Sequence, residues 1–340
     1  MATGIDLTVA KSNVAGRITA GVVIIAILGW PISGSGDYAF QIASFALTLL
    51  VLAVGLNLVF GVMGYMSLGQ TAFFGLGAYV AALSHNAGIS FVTSILLGGV
   101  VSAAAALLLG FTALRLTRYA FAIVTLVMLL GLGTAALFWS DVTRGARGLP
   151  NIVPPPALLA FLGDLSEPTR LYIVIAAVAT VLITVMHFAM TSDWGGTLRL
   201  IRQDEGLAMA VGVNVIKHKV IAFAFAGMTA GVIGALHAYR VTFVDPSVFA
   251  VNLATPVIAM VMLGGPGHYG SVIVVGYLVG ILPDVFRFAN AGRFVIFGLI
   301  LMLGGLLLPE GLPSLYQRIR QRGTGGRSSR AEPTPGAGDD

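Results

Sequence analysis

Apolar runs long enough to cross a bilayer, separated by short breaks that hold the charge, constrain this chain more than any other feature. Ten can be read along the 340 residues, at 18–32, 38–60, 67–85, 91–114, 119–140, 171–191, 220–241, 251–264, 271–287 and 293–308. A stretch of about 20 apolar residues crosses the roughly 30 Å hydrocarbon core, so the chain has room for about eight to ten crossings in one bundle. Lipid offers the backbone no hydrogen-bond partner, and the runs lack the period-2 alternation of barrel strands, which leaves helices. Composition agrees: 57% of residues are hydrophobic, 10% are charged and the mean hydropathy is +0.94. The expected fold class is all-α, a polytopic membrane helix bundle with about ten transmembrane spans.

The breaks set an orientation. With the N-terminus inside, the inner segments hold Lys11, Arg17, Arg115, Arg118, Arg199, Arg202, Lys217, Lys219 and five tail arginines, 13 of the 19 Lys and Arg. The outer segments hold Arg144, Arg147, Arg170, Arg240, Arg287 and Arg293. The inner excess predicts an even number of spans and two cytoplasmic termini. It also accounts for the pI near 9.7 without any nucleic-acid partner. Lys11 and Arg17 precede the first run, but no small-x-small cleavage site follows before Pro31, so this run reads as an uncleaved span. The expected organisation is a cytoplasmic segment at 1–17, a transmembrane domain at 18–312 and a disordered cytoplasmic tail at 313–340. Two longer loops interrupt the domain: an outer one at 141–170, stiffened by three consecutive prolines, and a cytoplasmic one at 192–219.

Much chemistry is missing. The lysines Lys11, Lys217 and Lys219 sit outside any G-x4-G-K-[ST] context, so no P-loop is present. "GLGTAA" at 131–136 lies in a continuous apolar run with no preceding strand, and reads as small residues for close helix contact. There is no cysteine, and the five histidines, His85, His187, His218, His237 and His268, have no metal-ligand spacing. Neither a catalytic constellation nor a metal site is expected. The acidic residues fall in loops or near span ends, leaving Asn57 and His237 as the main polar groups deep in a run. That weakens proton coupling, whereas sodium coupling through carbonyls and hydroxyls stays open, so an ion-coupled secondary transporter is one reading of the chain.

The least economical membrane stretch is "GYMSLGQTAFFGLGAY" at 64–79. Gly61, Gly64, Gly69, Gly75 and Gly77 fall within seventeen residues, at a helix-propensity cost of roughly 5 kcal/mol relative to alanine. Two uses justify that cost: close packing of backbones, or a break where unwound backbone faces a protein-lined space. Gly61 and Gly64 suggest the break, and Gly75 and Gly77 the packing. Ser67, Gln70 and Thr71, spaced i, i+3, i+4, would share one helical face that Asn57 could join. These four residues are candidates for lining a translocation pathway or for bonding to neighbouring helices.

In the cytoplasmic loop, Asp204 and Glu205 suit the first turn of a short helix, and Gly212 and Asn214 suit its end. Gly206 weakens that helix by up to about 1 kcal/mol. Leu198, Ile201, Ala208 and Val211, at spacings of three and seven, form one apolar stripe. The stripe fits a helix lying on the bilayer or one docking in a partner's groove.

Taken together, these residues resemble the permease subunits of ATP-binding-cassette importers for branched-chain amino acids, in a broader family that includes urea, amide and sugar permeases. The resemblance spans roughly residues 38–312 and looks most like the second, longer permease of a heterodimeric pair. It rests on the glycine-rich segment, on Arg199, Arg202, Glu205, Ala208, Ala210, Gly212, Val213 and Asn214 in the loop, on "GLPNIVPPP" and "LGGPGHYGSVIVVG", and on Pro309 to Leu312. It implies a bacterial cytoplasmic (inner) membrane location and a second homologous permease. A periplasmic or extracytoplasmic solute-binding protein would deliver substrate. Two cytoplasmic ABC ATPase subunits would carry the ATP and Mg, with no cofactor on this chain. The loop would couple to the ATPases through Arg199, Arg202, Glu205, Ala208 and Gly212. The same machinery in related permeases handles urea, short amides or aromatic acids.

Overall fold

The computed structural model describes residues 36–154, 165–285, 298, 299 and 302. The expected first span, most of the tenth, the N-terminal segment, the tail and the centre of the outer loop lie outside the described residues. What is described is a helical bundle. Helix α1 (Asp37–Leu56) runs on into a π-helical turn, Asn57–Val62, and an irregular stretch at 63–69. Then follow α2 (Gln70–Asn86), α3 (Phe91–Ala113), α4 (Arg118–Phe138) and the one-turn α5 (Ser140–Thr143). A two-residue strand β1 (Leu149–Pro150) precedes α6 (Glu167–Thr191), α7 (Asp193–Gln203), α8 (Glu205–Ala210) and α9 (Val215–Val241). Strand β2 (Phe243–Val244), a 3-10 turn at Pro246–Phe249, α10 (Val251–Gly264) and α11 (Tyr269–Val285) complete the order. Six of these helical stretches are long and apolar enough to cross a membrane.

Helices α1 and α9 form the centre. Of their apolar stretches 89% and 78% are buried, against 22% for α4 at the periphery. Close approach is made possible by small residues, since lipid supplies no hydrophobic force between helices and packing must. At the crossing of α2, α3 and α9 each helix contributes a glycine. A Cβ on Gly77 would fall 2.6 Å from Gly231 Cα, and one on Gly98 would fall 3.1 Å from the Gly77 carbonyl oxygen and 3.3 Å from that of Gly231. Ser102 Oγ of α3 ties the same crossing by donating to the Phe73 carbonyl at 3.0 Å. Gly75 faces a different neighbour, the ring of Phe249, on which Tyr79 stacks with centroids 5.7 Å apart.

The loops gather alternately at two ends. At one end β1 pairs antiparallel with β2, Leu149 opposite Val244, and Ser166 Oγ donates to Asp37 Oδ1 at 2.5 Å. At the other end α7 and α8, the 63–69 stretch, the α3–α4 link and the α10–α11 turn come together. The two groups of loops are the same two sets that the sequence reading assigns to the outer and inner sides, and the two ends are named accordingly.

Several expected boundaries move. The third span begins at Gln70 and not Ser67, because the chain is unwound before it. Ser67 Oγ accepts from Gly69 N at 3.2 Å, and Leu68 N donates to Thr125 Oγ1 at 3.1 Å, so the two amides bond to hydroxyls and not to a preceding helical turn. Ser67 therefore does not share a helical face with Gln70 and Thr71. The expected short loop helix is α8, capped by Asp204, and a further helix, α7, precedes it, the two separated by the extended backbone of Asp204 (φ −153°, ψ 113°). The seventh span starts earlier, at Val215, where Asn214 Oδ1 accepts from Lys217 N at 3.1 Å. Its 27 residues rise about 40 Å at about 1.5 Å each, longer than the roughly 30 Å core requires.

Candidate functional site at the inner junction

The inner end is organised around the break in the chain between α1 and α2. In the π turn Met63 N donates to the Leu58 carbonyl, and Tyr65 N reaches back to that of Val59, both at 3.0 Å. Such turns insert a residue and loosen the ladder, and they concentrate at functional positions. Gly64 then adopts φ +84°, a left-handed conformation that favours glycine, with the Arg202 side chain packed over it. Gly61 leaves the space in which Asn57 Oδ1 accepts from Gly267 N at 2.8 Å, pinning the π turn to the α10–α11 link. Gly69 sits against Met128 and Thr125 of α4, where a Cβ would fall 2.5 Å from Met128 Cε.

The structure places Asn57, Ser67, Gln70 and Thr71 in the interior, exposed by 0%, 1%, 2% and 1%. Gln70 Nε2 donates to the Ala226 carbonyl of α9 at 3.0 Å, in the space left by Gly55. Asn57 Nδ2, Gln70 Oε1 and Thr71 Oγ1 have no hydrogen-bond partner among the described residues. Buried polar atoms left unbonded are uncommon and costly. Asn57, Gln70 and Thr71 thus set three buried polar side chains on the two sides of the break.

The loop helices are fastened to this break from the inner side. Arg202 Nη1 of α7 donates to the Gly61 carbonyl, and the Arg202 carbonyl accepts from Arg118 Nη2 at 2.7 Å. Arg199 Nη2 donates to the Met190 carbonyl at the C-terminus of α6 at 2.5 Å, where a cation meets the negative end of a helix dipole. In α8 the Glu205 carboxylate uses both oxygens. Oε1 accepts from the Tyr65 hydroxyl at 2.8 Å, and Oε2 pairs with Lys219 Nζ at 2.7 Å. Lys219 Nζ also donates to the Tyr65 hydroxyl at 2.6 Å, closing a triangle. Burial first, and then the bond to the Glu205 carboxylate, push the Tyr65 phenol well above its ordinary range. It therefore keeps its proton and donates it to Glu205.

The apolar stripe divides differently from the sequence expectation. Leu198, Ile201 and Ala208 are fully buried and hold α7 and α8 onto the chain's own bundle. Val211 does not join them: it is 63% exposed, and Leu207 and Met209 of α8 are likewise exposed, by 54% and 59%. The reason lies at the end of α8: Ala210 is its last residue, and Val211 (φ −89°, ψ 13°) already belongs to the turn that leads into Gly212. Gly212, with φ +85°, ends α8 by donating to the Met209 carbonyl, and Val213 N returns to that of Ala208, both at 3.0 Å. Sequence reasoning missed Lys219 and Tyr65. Lys219 was counted as one more inner charge before the seventh span, yet its side chain is only 3% exposed. At the opposite end of the molecule, an open concavity of about 760 Å³ is lined by Leu137, Arg144, Arg147 and Pro150.

The glycine-broken stretch is thus fastened to a capped loop helix whose Leu207 and Met209 stay exposed. The family model described as the permease component of branched-chain amino acid transport systems matches residues 38–304. The chain belongs to this family. The high-affinity branched-chain amino acid transport system permease protein LivM of Salmonella typhimurium is 30% identical over 327 residues, covering 88% of this chain and 76% of that one. LivM of Escherichia coli is 29% identical over the same shares. The L-arabinose ABC transporter permease protein AraH of Azospirillum brasilense is 31% identical over 121 residues, 34% of each chain. The matched residues include both the glycine-rich segment and the loop, and the inner junction is where those two segments meet.

Proposed function

We infer that this chain is a permease subunit of an ATP-driven ABC importer and passes branched-chain amino acids across a bacterial cytoplasmic membrane. The observation that carries the reading is the family match over residues 38–304. The substrate class is supported by the two LivM relatives. The reading places ten spans around the pathway with both termini in the cytoplasm. A second homologous permease completes that pathway, two ABC ATPases bind ATP and Mg, and a solute-binding protein delivers substrate to the outer face. The exposed Arg144 and Arg147 beside the outer concavity suit an acidic docking surface on that protein. On the inner face Leu207, Met209 and Val211 enter the ATPase groove. Arg199, Arg202, Glu205, Ala208 and Gly212 keep α7 and α8 in the pose that presents those three residues. When the ATPases close on ATP, the loop moves, and the buried polar residues Asn57, Ser67, Gln70 and Thr71 rearrange beside the opening pathway.

The reading is tested by co-purification. A tagged chain expressed with the ATPase subunits should retain them through purification, and Glu205→Ala should lower leucine uptake by about tenfold or more. A chain that retains no ATPase, together with uptake that is unchanged in Glu205→Ala, would refute it.

A further inference from the structure

We propose that the Tyr65–Glu205–Lys219 triangle is the mechanical link that passes displacement of the α7–α8 loop to the broken span, with Tyr65 and Lys219 as its positioning residues. The proposal rests on the reading that the ATPases act on this loop. Three observations carry it. First, the triangle joins three separate elements, since Glu205 opens α8, Lys219 lies in the first turns of α9 and Tyr65 lies in the unwound stretch before α2. All three sides are short, at 2.7, 2.8 and 2.6 Å. Tyr65 is 3% exposed and the Lys219 side chain is 3% exposed, so neither is held by water instead.

Second, Tyr65 does not end at its hydroxyl. Its ring packs edge-on against Phe121 of α4 at 5.4 Å, Phe121 against Phe223 of α9 at 5.3 Å, and Phe223 against Phe73 of α2 at 5.2 Å. The three phenylalanines are fully buried. A push on Tyr65 therefore meets close-packed rings in three helices, and packed interiors transmit displacement with little compression. Third, Arg202 is a parallel tether from α7 to the Gly61 carbonyl, four residues earlier on the same broken segment. The two loop helices thus grip the break on both sides of its left-handed Gly64.

The test uses the complete complex in proteoliposomes, with leucine as the transported probe and two readouts: ATP hydrolysed and leucine accumulated. Tyr65→Phe keeps the ring and removes only the hydroxyl, and Lys219→Met keeps the length and removes the charge. Both variants should retain the ATPases and hydrolyse ATP at the parental basal rate. Leucine moved per ATP should fall by about fivefold to tenfold, within the usual range of coupling between sites. Glu205→Lys combined with Lys219→Glu should recover most of the ratio lost by either reversal alone, which ties the loss to the ion pair, while retained ATPases and an unchanged basal rate separate a lost link from misfolding. Parental leucine per ATP in both Tyr65→Phe and Lys219→Met, with the ATPases retained, would overturn the link and leave the importer reading standing. A parent chain that holds no ATPase would overturn the importer reading, and the link with it.

Discussion

The glycine crossing of α2, α3 and α9 supports a paired prediction in which one substitution at two sites has opposite signs. In Gly77→Ala the new methyl would fall 2.6 Å from Gly231 Cα and 2.7 Å from its carbonyl carbon. Carbons in contact sit about 3.5–4.0 Å apart, so α2 and α9 must separate by about 1 Å. The obstructing atoms are backbone and cannot swing aside. Overpacking of this kind costs about 3 kcal/mol at the upper end of its usual range, and alanine returns about 1 kcal/mol of helix propensity, for a net loss of about 2 kcal/mol. In Gly131→Ala on α4 the methyl meets nothing within 4 Å, which leaves only the gain of about 1 kcal/mol. Unfolding the full-length chain in mixed micelles by sodium dodecyl sulfate titration should therefore separate the variants by about 3 kcal/mol, with the parent between them. Equal stability of the two variants, or loss in Gly131→Ala, would refute the claim that Gly77 is retained for backbone contact.

Three further outcomes follow from the same geometry. Gly75→Leu drives a side chain into the Phe249 ring on which Tyr79 stacks, and is expected to abolish uptake or subunit assembly, read by membrane-fraction levels and leucine accumulation. Asn57→Ala removes the acceptor for Gly267 N and should destabilise the chain by about 1–2 kcal/mol, because a partly buried amide loses its partner; the same micelle titration measures it. Leu207→Asp with Val211→Asp should remove ATPase co-purification while leaving the unfolding midpoint within about 0.5 kcal/mol of the parent, since both side chains are exposed.

Periodicity and charge made much of this legible. The apolar runs marked most of the described membrane helices, and the density of glycine marked the segment where the chain unwinds. The conversion of pattern into faces failed where the backbone departed from an ideal helix. Leu198, Ile201, Ala208 and Val211 make one stripe only if the helix continues to Val211, whereas α8 ends at Ala210 and Val211 lies in the turn before Gly212. Lys219 was hidden for a related reason. Hydropathy starts the seventh span at the first apolar run, whereas the cap at Asn214 starts the helix at Val215 and carries the lysine into the interior. Its partner Tyr65 lies 154 positions away in sequence. Only the fold brings them together, although three acid, base and phenol groups beside a break are what a buried network requires.

The central claim is that this chain moves substrate only as part of an ATP-driven assembly. Leucine accumulation in proteoliposomes carrying the chain with the proposed second permease, ATPases and binding protein tests that most directly. The account predicts accumulation when ATP and Mg are supplied to the ATPase side, and none when a sodium or proton gradient is imposed without ATP. Gradient-driven accumulation by the lone chain, without nucleotide, would contradict it.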